Sequence, residues 1–419
     1  MTADSLLAPT PAAPGAPPPR GRRFGWPLLF AVAGGLVVLA AVRAMTGAED
    51  LTSSGAVRAA LQAAVPIGLA GLGGLWSERA GVVNIGLEGQ LILGTWFGAW
   101  AGYHWGPWAG VVAGLVGGAL GGLLHALATV TFGVDHIVSG VAITILAGGA
   151  TRYLSQLAFT GLPGGGKTQS PPVHELPRLS VPGLGGLTTL ESKHWFLVSD
   201  LAGVLGGMLT QMSALTIIAI LLIPVTFYVL WRTSFGLRLR SCGENPKAAE
   251  SLGVNVYLYK YYGVVISGGL AGLGGVFLSM VASSIYREGQ TGGRGFIGLA
   301  AMIFGNWRPT GLAGGALLFG YTDALQLRGG SASVHALLLF VAVLLAAVAV
   351  YQLTRRRYVM TGVTFGMAVL VAVWYAVTDS IPREFIQAAP HITTLVVLAL
   401  ASQRLRMPAA DGQPYRRGG

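Results

Sequence analysis

Three polar side chains that could bond a polar molecule lie in one apolar, glycine-rich stretch, SERAGVVNIGLEGQ, at residues 77–90. They are Asn84, Glu88 and Gln90. A carboxylate at membrane depth costs roughly 2.5–3.5 kcal/mol on insertion scales, so it normally faces a bundle interior or a water-filled path. Neighbouring glycines permit a broken or re-entrant segment there. The stretch predicts either part of a translocation path or a packing device in which Glu88 bonds to a nearby backbone, and both interpretations fit the sequence equally.

A second candidate for chemistry is the octapeptide GLPGGGKT at residues 161–168, which fits the G-x-x-x-x-G-K-[ST] pattern of phosphate-binding loops. That pattern binds ATP only when a strand leads into the loop and a helix starts directly after it, because the helix start directs backbone N–H groups at the phosphates. Here QSPP follows at residues 169–172, with Pro177 and Pro182 beyond. Since proline removes donors and blocks such a helix, we predict a flexible loop without a nucleotide.

Composition places these residues in a membrane protein. Of the 419 residues, 53% are hydrophobic, only 10% are charged and 64 are glycine, whereas soluble domains carry about 25% charged residues. The single cysteine, Cys242, excludes an intramolecular disulfide and a cysteine-based metal cluster, and the seven histidines show no zinc-ligand spacing. We therefore predict an all-α polytopic membrane protein with about 10–12 transmembrane helices and no metal site. We attribute the net charge of +11 to Lys and Arg residues that orient the chain in the membrane, not to nucleic-acid binding.

Apolar runs of the length that crosses a bilayer as a helix recur along the whole chain. We predict spans near residues 27–45, 56–76, 81–103, 107–131, 134–158, 213–231, 259–283, 295–306, 311–327, 334–354, 359–378 and 391–403. With the N-terminus inside, twelve crossings place both termini in the cytoplasm, and 17 of the 27 Lys and Arg residues then lie inside. This bias supports the orientation, and it places the 161–168 loop outside, away from cytoplasmic ATP.

The order of segments predicts a division of the chain. Residues 1–25, rich in Pro and Ala, are expected to form a disordered cytoplasmic tail, and the first apolar run is too long for a cleaved signal peptide. We expect a transmembrane domain at 26–330, with repeats at about 56–158 and 259–327 and a cytoplasmic segment at 232–258, then additional transmembrane helices at 331–404 and a cytoplasmic tail at 405–419.

Internal repetition is a separate signal. LAGLGG occurs at Leu69–Gly74 and again at Leu270–Gly275, and related glycine-rich elements follow, NIGLEGQLILGTW at Asn84–Trp96 and FIGLAAMIFGNW at Phe296–Trp307. Glycine-rich membrane helices resemble one another by composition, but a shared hexapeptide followed by a matching I-G-L element favours duplication. Duplicated halves are typical of transporters, in which two bundles move about a site between them. The sequence leaves parallel and inverted arrangements open.

The cytoplasmic segment FGLRLRSCGENPKAAESLGVNVY at Phe235–Tyr257 predicts a short capped helix. Asn245 stands at the cap, Pro246 at the first position and Gly253 at the end, which is the usual asymmetry of helix termini. A membrane subunit that receives mechanical work from a separate motor needs such a helix on its inner face. Taken alone, the segment would be a solvated loop that contains a helix.

Together, SERAGVVNIGLEGQ, VDHIVSGVAI (Val134–Ile143), FGLRLRSCGENPKAAESLGV and FIGLAAMIFGNWRPTG resemble the permease subunits of bacterial ATP-binding-cassette (ABC) importers for simple sugars and nucleosides, the group that also contains branched-chain amino acid permeases. The similarity covers roughly residues 55–330 in matching order and is closest to nucleoside-type permeases. The Pro-rich N-terminus, the long 160–200 loop and the region beyond about 330 exceed a compact permease core.

The resemblance implies a subunit of the bacterial cytoplasmic membrane that is not itself an enzyme and carries no cofactor, because a partner ATPase binds ATP and Mg²⁺. Further implied partners are a second permease, as a homodimer or heterodimer, an extracytoplasmic binding protein or lipoprotein, and the lipid bilayer, but no nucleic acid. By the same resemblance, residues that couple the chain to the ATPase are Gly243, Glu244, Asn245, Pro246, Ala248, Ala249 and Gly253.

If the solute is a nucleoside, aromatic faces could stack on its base and amides could bond its polar edges. Candidates for stacking are Trp96, Phe296 and Trp307, and candidates for hydrogen bonding are Asn84, Gln90 and Asn306. Aromatic residues of this kind are more often interfacial anchors or lipid-facing fillers than stacking partners of a solute.

An alternative from a different class is an ion-coupled secondary transporter with Glu88, Asp135 or Asp323 as the proton-carrying group. It shares the repeats and buried acids but does not account for the capped cytoplasmic segment. A membrane-embedded enzyme lacks support, because no serine, histidine and acid set and no metal-spaced cluster converges on the spans.

Overall fold

The computed structural model describes residues 26–328, 330–379, 381 and 405–416. The predicted tail at 1–25 and the predicted last span at 391–403 lie outside these residues. The helices are α1 (Trp26–Thr46), α2 (Ser54–Arg79), α3 (Leu87–Trp105), α4 (Pro107–Ala126), α5 (His136–Ala158), α6 (Gly186–Glu191), α7 (Val198–Leu209), α8 (Ala214–Arg232), α9 (Ser234–Glu244), α10 (Pro246–Ser251), α11 (Val256–Phe277), α12 (Arg294–Phe304), α13 (Pro309–Arg328), α14 (Gly330–Thr354) and α15 (Tyr358–Val377). Short π-helical turns extend α4 (Leu127–Thr131) and α11 (Leu278–Ala282), and a 3₁₀ turn spans Glu49–Leu51.

The fold is the predicted all-α polytopic membrane protein. Within the described residues, seven helices are long and apolar enough to cross a bilayer by themselves. They are α2, α5, α8, α14 and α15, together with α4 and α11, each counted with its π-helical extension. We call the end that carries α9 and α10 the inner end, and the end that carries the 159–213 segment the outer end. The outer segment contains α6, α7 and a two-stranded antiparallel sheet of β1 (Arg178–Leu179) and β2 (Met212–Ser213).

Two predicted spans are broken rather than continuous. The span predicted at 81–103 becomes helical only at Leu87, because Gly81 has a φ of +83° and the Ser77 hydroxyl donates to the Val82 carbonyl, which ends α2. Its counterpart α12 has 11 residues and is preceded by a non-helical run of 283–293, in which Gly292 and Gly293 have positive φ. Each broken span therefore combines a non-helical part with a helical part.

The repeats are inverted. α2 and α11 form an antiparallel central pair, because Gly73 lies against the Ser267 carbonyl while Gly274 lies against the Pro66 carbonyl. α2 and α11 each carry one copy of LAGLGG and each precedes a broken span. The helical halves α3 and α12 follow in opposite directions, and their N-termini meet where Gly295 contacts the backbone of Glu88. The sequence left the direction of the repeats open, and the antiparallel contact between α2 and α11 decides it.

Glycine makes this close packing possible. Gly118 and Gly122 of α4 and Gly268 and Gly272 of α11 lie so close to the opposite helix that a methyl group on any of them would overlap its backbone, and a methyl group on Gly114 of α4 would overlap the Val276 side chain of α11. This four-residue spacing of small residues is typical of tightly crossed membrane helices. Aromatic and aliphatic side chains close the core on either side, with Trp96, Phe159 and Phe277 towards the outer end and Trp76, Met302 and Trp307 towards the inner end.

Candidate functional site

The predicted phosphate loop is a loop at the outer end. The Thr168 carbonyl accepts a hydrogen bond from the Glu288 backbone N–H at 2.8 Å, and residues 169 and 170 continue in extended pairing with the 284–287 segment. The next helix starts only at Gly186. The segment therefore lacks the helix start that a phosphate site of this kind requires, as its prolines predicted, and the absence of a bound nucleotide stays a prediction.

Glu88 holds the two broken spans together at the centre of the molecule. Its carboxylate oxygens accept hydrogen bonds from the backbone N–H groups of Gly293 at 2.9 Å and Gly295 at 2.7 Å, and its exposed fraction is 5%. These donors belong to the N-terminus of α12, which carries a partial positive charge. The carboxylate therefore caps a half-helix from the opposite repeat. Nearby, Arg294 donates to Asp323 at 2.8 Å.

Asn84 and Gln90 form a separate polar cluster on another side of α3. The Asn84 amide donates to the Gln90 side-chain oxygen and to the Ser267 hydroxyl, both at 2.9 Å, and the Gln90 amide donates back to Asn84 at 3.2 Å. Asn84, Gln90 and Ser267 are fully buried. Ser267 lies in α11 just before its LAGLGG copy, so this cluster also connects the two repeats.

Two histidines that the sequence analysis did not select fix the extended segment beside this cluster. His136 Nδ1 accepts a hydrogen bond from the Val83 N–H at 3.1 Å, and His125 Nε2 lies 2.9 Å from the Val83 carbonyl. The other nitrogen of His125 meets the Ser139 hydroxyl at 2.9 Å. Both polar groups of Val83 are thus satisfied inside the protein, as non-helical backbone at membrane depth requires. The VDHIVSGVAI motif supplies His136 and Ser139, and its polar residues in an apolar run were the available signal.

The remaining path candidates do not join these clusters. Trp96 is 4% exposed, donates to the Ser155 hydroxyl at 3.0 Å and stacks on Trp100 towards the outer end. Phe296 is 46% exposed on the outside of α12. Asn306 lies at the inner end, where its side-chain oxygen accepts a hydrogen bond from the Arg406 N–H. The structure therefore brings together Asn84 and Gln90, places Glu88 in a separate contact with α12 and leaves Trp96, Phe296 and Asn306 apart.

The predicted capped helix at the inner end is confirmed as α10. The Asn245 side chain accepts a hydrogen bond from the Ala248 N–H at 3.0 Å, Pro246 occupies the first turn and Gly253 has a φ of +80°. Gly243 has no room for a side chain, because a methyl group there would overlap the Arg79 carbonyl at the end of α2. The end of α9 therefore packs directly against the end of α2.

The faces of α10 differ. Ala249 is 2% exposed and packs with Cys242 and Val256, while Ala248 and Lys247 are exposed. Leu252, which the sequence analysis did not select, is 85% exposed at the end of the helix. Burial raises the pKa of the Cys242 thiol to about 11, so this side chain is a neutral part of the support under α10. The surface available to a partner consists of Lys247, Ala248 and Leu252, which we call the α10 surface.

Residues 405–416 lie against the same end. The Ala410 N–H donates to the Gly243 carbonyl at 2.8 Å, the Ala409 N–H lies 3.3 Å from a carboxylate oxygen of Glu244, and Tyr415 packs on Tyr257. Glu244 also pairs with Arg79 at 3.6 Å. Asp411 is 7% exposed, and burial together with the Glu78 carboxylate raises its pKa to about 9. The C-terminal segment thus forms part of the inner end. The sequence did not predict this contact, because residues 405–416 lie far along the chain from α9.

Among the described residues, no group of three His, Cys, Asp or Glu side chains could hold a metal ion. The buried polar side chains of Asn84, Glu88, Gln90 and His125 bond instead to amides, hydroxyls and backbone.

Comparison with known proteins agrees with this architecture. The family model for the permease component of branched-chain amino acid transport systems matches residues 56–349. The chain is 35% identical over 371 residues to the guanosine ABC transporter permease protein NupQ of Bacillus subtilis, covering 86% of this chain and 96% of that protein. It is 33% identical over 357 residues to the nucleoside ABC transporter permease protein NupC of Lactococcus lactis, covering 84% and 93%.

A third relative is a putative glucose ABC transporter permease protein, TsgC13, of Haloferax volcanii, 33% identical over 282 residues that cover 67% of this chain and 79% of that protein. No solved structure gives a significant match.

Proposed function

This chain belongs to the family of permease components of branched-chain amino acid transport systems, and we propose that it carries a nucleoside into the cell with energy from a separate ATPase. It is a multi-pass protein of the plasma membrane and a permease subunit of an ABC importer, as are its relatives. The ion-coupled alternative is not supported, because the relatives are ABC permeases.

The observation that carries the nucleoside assignment is the extent of similarity to the guanosine permease, which covers 96% of that protein's length. The site supports a neutral cargo as well. In many transporters the N-terminus of a half-helix binds an anionic group of the substrate. Here the carboxylate of Glu88 already occupies the N-terminus of α12, so that terminus is not available to the carboxylate of an amino acid. Nucleosides and simple sugars lack such a group.

The partners follow from the mechanism. An ATPase that holds ATP and Mg²⁺ would press on the α10 surface, and the close contact of Gly243 with the end of α2 would pass that movement to the central pair. A second permease, identical or different, would complete the pore. An extracytoplasmic binding protein or lipoprotein would capture the solute, so the path itself needs only weak affinity.

Uptake by proteoliposomes tests the proposal. The chain is co-purified with its ATPase, second permease and binding protein, and uptake of labelled guanosine, uridine and glucose is measured with ATP on the inner side. We expect nucleoside uptake that stops with vanadate and continues with a proton ionophore. Glucose uptake without nucleoside uptake would contradict the proposed nucleoside cargo. Glucose is included because one of the relatives is a putative glucose permease. Accumulation without the ATPase would overturn the energy source.

A further inference from the structure

A basic cavity of about 650 Å³ opens at the inner end, between the end of α2, the end of α8 and the 305–308 turn. Its lining includes Arg79, Arg308 and Arg406, with Trp231 and Met407 beside them. None of the predicted coupling or path functions requires three arginines at one place. The cavity is therefore a feature that the transport mechanism does not explain.

The arginines are only partly neutralised. Glu244 lies 3.6 Å from Arg79, which also donates to the Trp307 carbonyl at 2.7 Å, so Arg79 is anchored. Arg308 and Arg406 are exposed, and no carboxylate of the described chain lies within ion-pair distance of either one. A fourth guanidinium, that of Arg240, stacks over Trp231 at 5.4 Å. The cavity therefore has a net positive charge that favours an anion.

Apolar surface adjoins the charged lining. Trp231 stacks on Phe227 with ring centroids 5.7 Å apart. Phe227 and Tyr228 are 41% and 62% exposed on the side of α8 that faces away from the protein. Met407, which also lines the cavity, adds a further apolar side chain that is 55% exposed. Tryptophan and tyrosine at the end of a span mark the level of the lipid headgroups. One side of the cavity thus continues into the lipid-facing surface of a transmembrane helix.

We propose that this cavity binds the phosphate group of an anionic phospholipid of the inner leaflet, with an acyl chain lying along Phe227 and Tyr228 of α8. Guanidinium groups bind phosphate oxygens through paired N–H donors. Basic pockets between transmembrane helices on the cytoplasmic side are suited to anionic headgroups. Because Arg406 comes from the C-terminal segment, such a lipid would join that segment to α2 and α8.

Lipid binding to the purified full chain tests this proposal. The chain in neutral detergent is titrated with phosphatidylglycerol or phosphatidylcholine of equal chain length, and bound lipid is counted by native mass spectrometry. The variant Arg308→Gln/Arg406→Gln removes two exposed charges of the cavity and leaves the anchored Arg79. The matched control is Arg232→Gln/Arg238→Gln, which removes two exposed arginines at the same end outside the cavity lining.

We expect the wild type and the control to prefer phosphatidylglycerol by about tenfold or more, and the cavity variant to lose this preference. Equal binding of the two lipids by the wild type, or an unchanged preference in the cavity variant, overturns the proposal. Inorganic phosphate at the same concentration provides the second arm. If it displaces the lipid completely, the site belongs to a soluble anion and the lipid assignment is wrong; continued lipid binding supports the assignment.

Discussion

The Glu88 carboxylate is a buried charge with a structural role, because it caps the N-terminus of α12. Both of its oxygens are occupied by N–H groups that lie 205 and 207 residues further along the chain. In Glu88→Gln, the remaining side-chain oxygen can accept a hydrogen bond from only one of the two backbone N–H groups. The amide N–H₂ then faces the other N–H group, which loses its acceptor. A buried donor without a partner costs about 1–3 kcal/mol. We predict a lower thermal unfolding midpoint in detergent, together with reduced uptake.

Glu175→Gln provides the control, because this carboxylate is 52% exposed in the outer segment. A proton-carrying role for Glu88 would give the opposite pattern, in which Glu88→Gln abolishes uptake but leaves the unfolding midpoint unchanged. Normal uptake and a normal midpoint together would show that the cap is dispensable.

Asp411 makes docking of the C-terminal segment depend on pH. Burial and the Glu78 carboxylate raise its pKa to about 9, while Lys260 and the Gly412 N–H oppose the rise and Arg79 is the other nearby charge. In an undocked segment the pKa would be about 3.9. In the docked segment Asp411 therefore keeps its proton to a higher pH than in the undocked segment. Its contribution to the stability of docking is fully present below about pH 4 and is lost as the pH rises towards about 9.

We therefore predict that hydrogen-exchange protection factors of residues 405–416 fall between pH 6 and pH 8, by up to about 100-fold, the limit for a single proton over two pH units. Asp411→Asn should flatten this dependence. Asp379→Asn, at an exposed aspartate after α15, should leave it intact. A flat profile in the wild type would refute the role of Asp411.

At the scale of elements, the glycine contacts between α4 and α11 set the spacing of the core. A methyl group on Gly118 would overlap the Gly268 carbonyl. Overpacking a tight core typically costs 1–3 kcal/mol, and here backbone rather than a flexible side chain opposes the added group. We predict that Gly118→Val lowers the unfolding midpoint and the yield of monodisperse protein on size exclusion.

The matched control is Gly148→Val on α5, where nothing lies within 4 Å of an added methyl group. Both substitutions place valine in an apolar helix, so their difference isolates packing from helix propensity. Equal behaviour of the two variants would contradict a close α4–α11 contact.

The elements also show what sequence can predict. Apolar run length indicated the long helices, and Asn245, Pro246 and Gly253 indicated α10, because these signals are local. The late start of α3 and the direction of the repeats depend on partners far along the chain, such as Ser267 and Gly295. Their residue types were visible, and the glycines near Glu88 indicated a break, but no local pattern specifies which backbone a side chain will reach.

At the scale of the whole molecule, the candidate site divides into a central junction and an inner end. Asn84, Glu88 and Gln90 were correctly selected as interior polar residues, because uncompensated polar groups are costly in a bilayer. His125 and His136, which hold Val83, were missed because a lone histidine carries no spacing signal. Docking of residues 405–416 was missed because a short polar tail gives no sign of its partner.

Energy from an ATPase must enter through the α10 surface if Gly243 transmits it to α2. Leu252, 85% exposed, is the apolar side chain that this surface offers to a partner, whereas Ala249 is 2% exposed and its replacement would disturb α10 itself. Loss of a central apolar anchor typically costs 2 kcal/mol or more, about 30-fold in affinity. We predict that Leu252→Asp weakens ATPase binding by about that factor and abolishes ATP-driven uptake without lowering the unfolding midpoint. Val359→Asp, at an 83% exposed residue of α15, should retain both activities; unchanged ATPase affinity in the Leu252 variant would place the entry of energy elsewhere on the inner end.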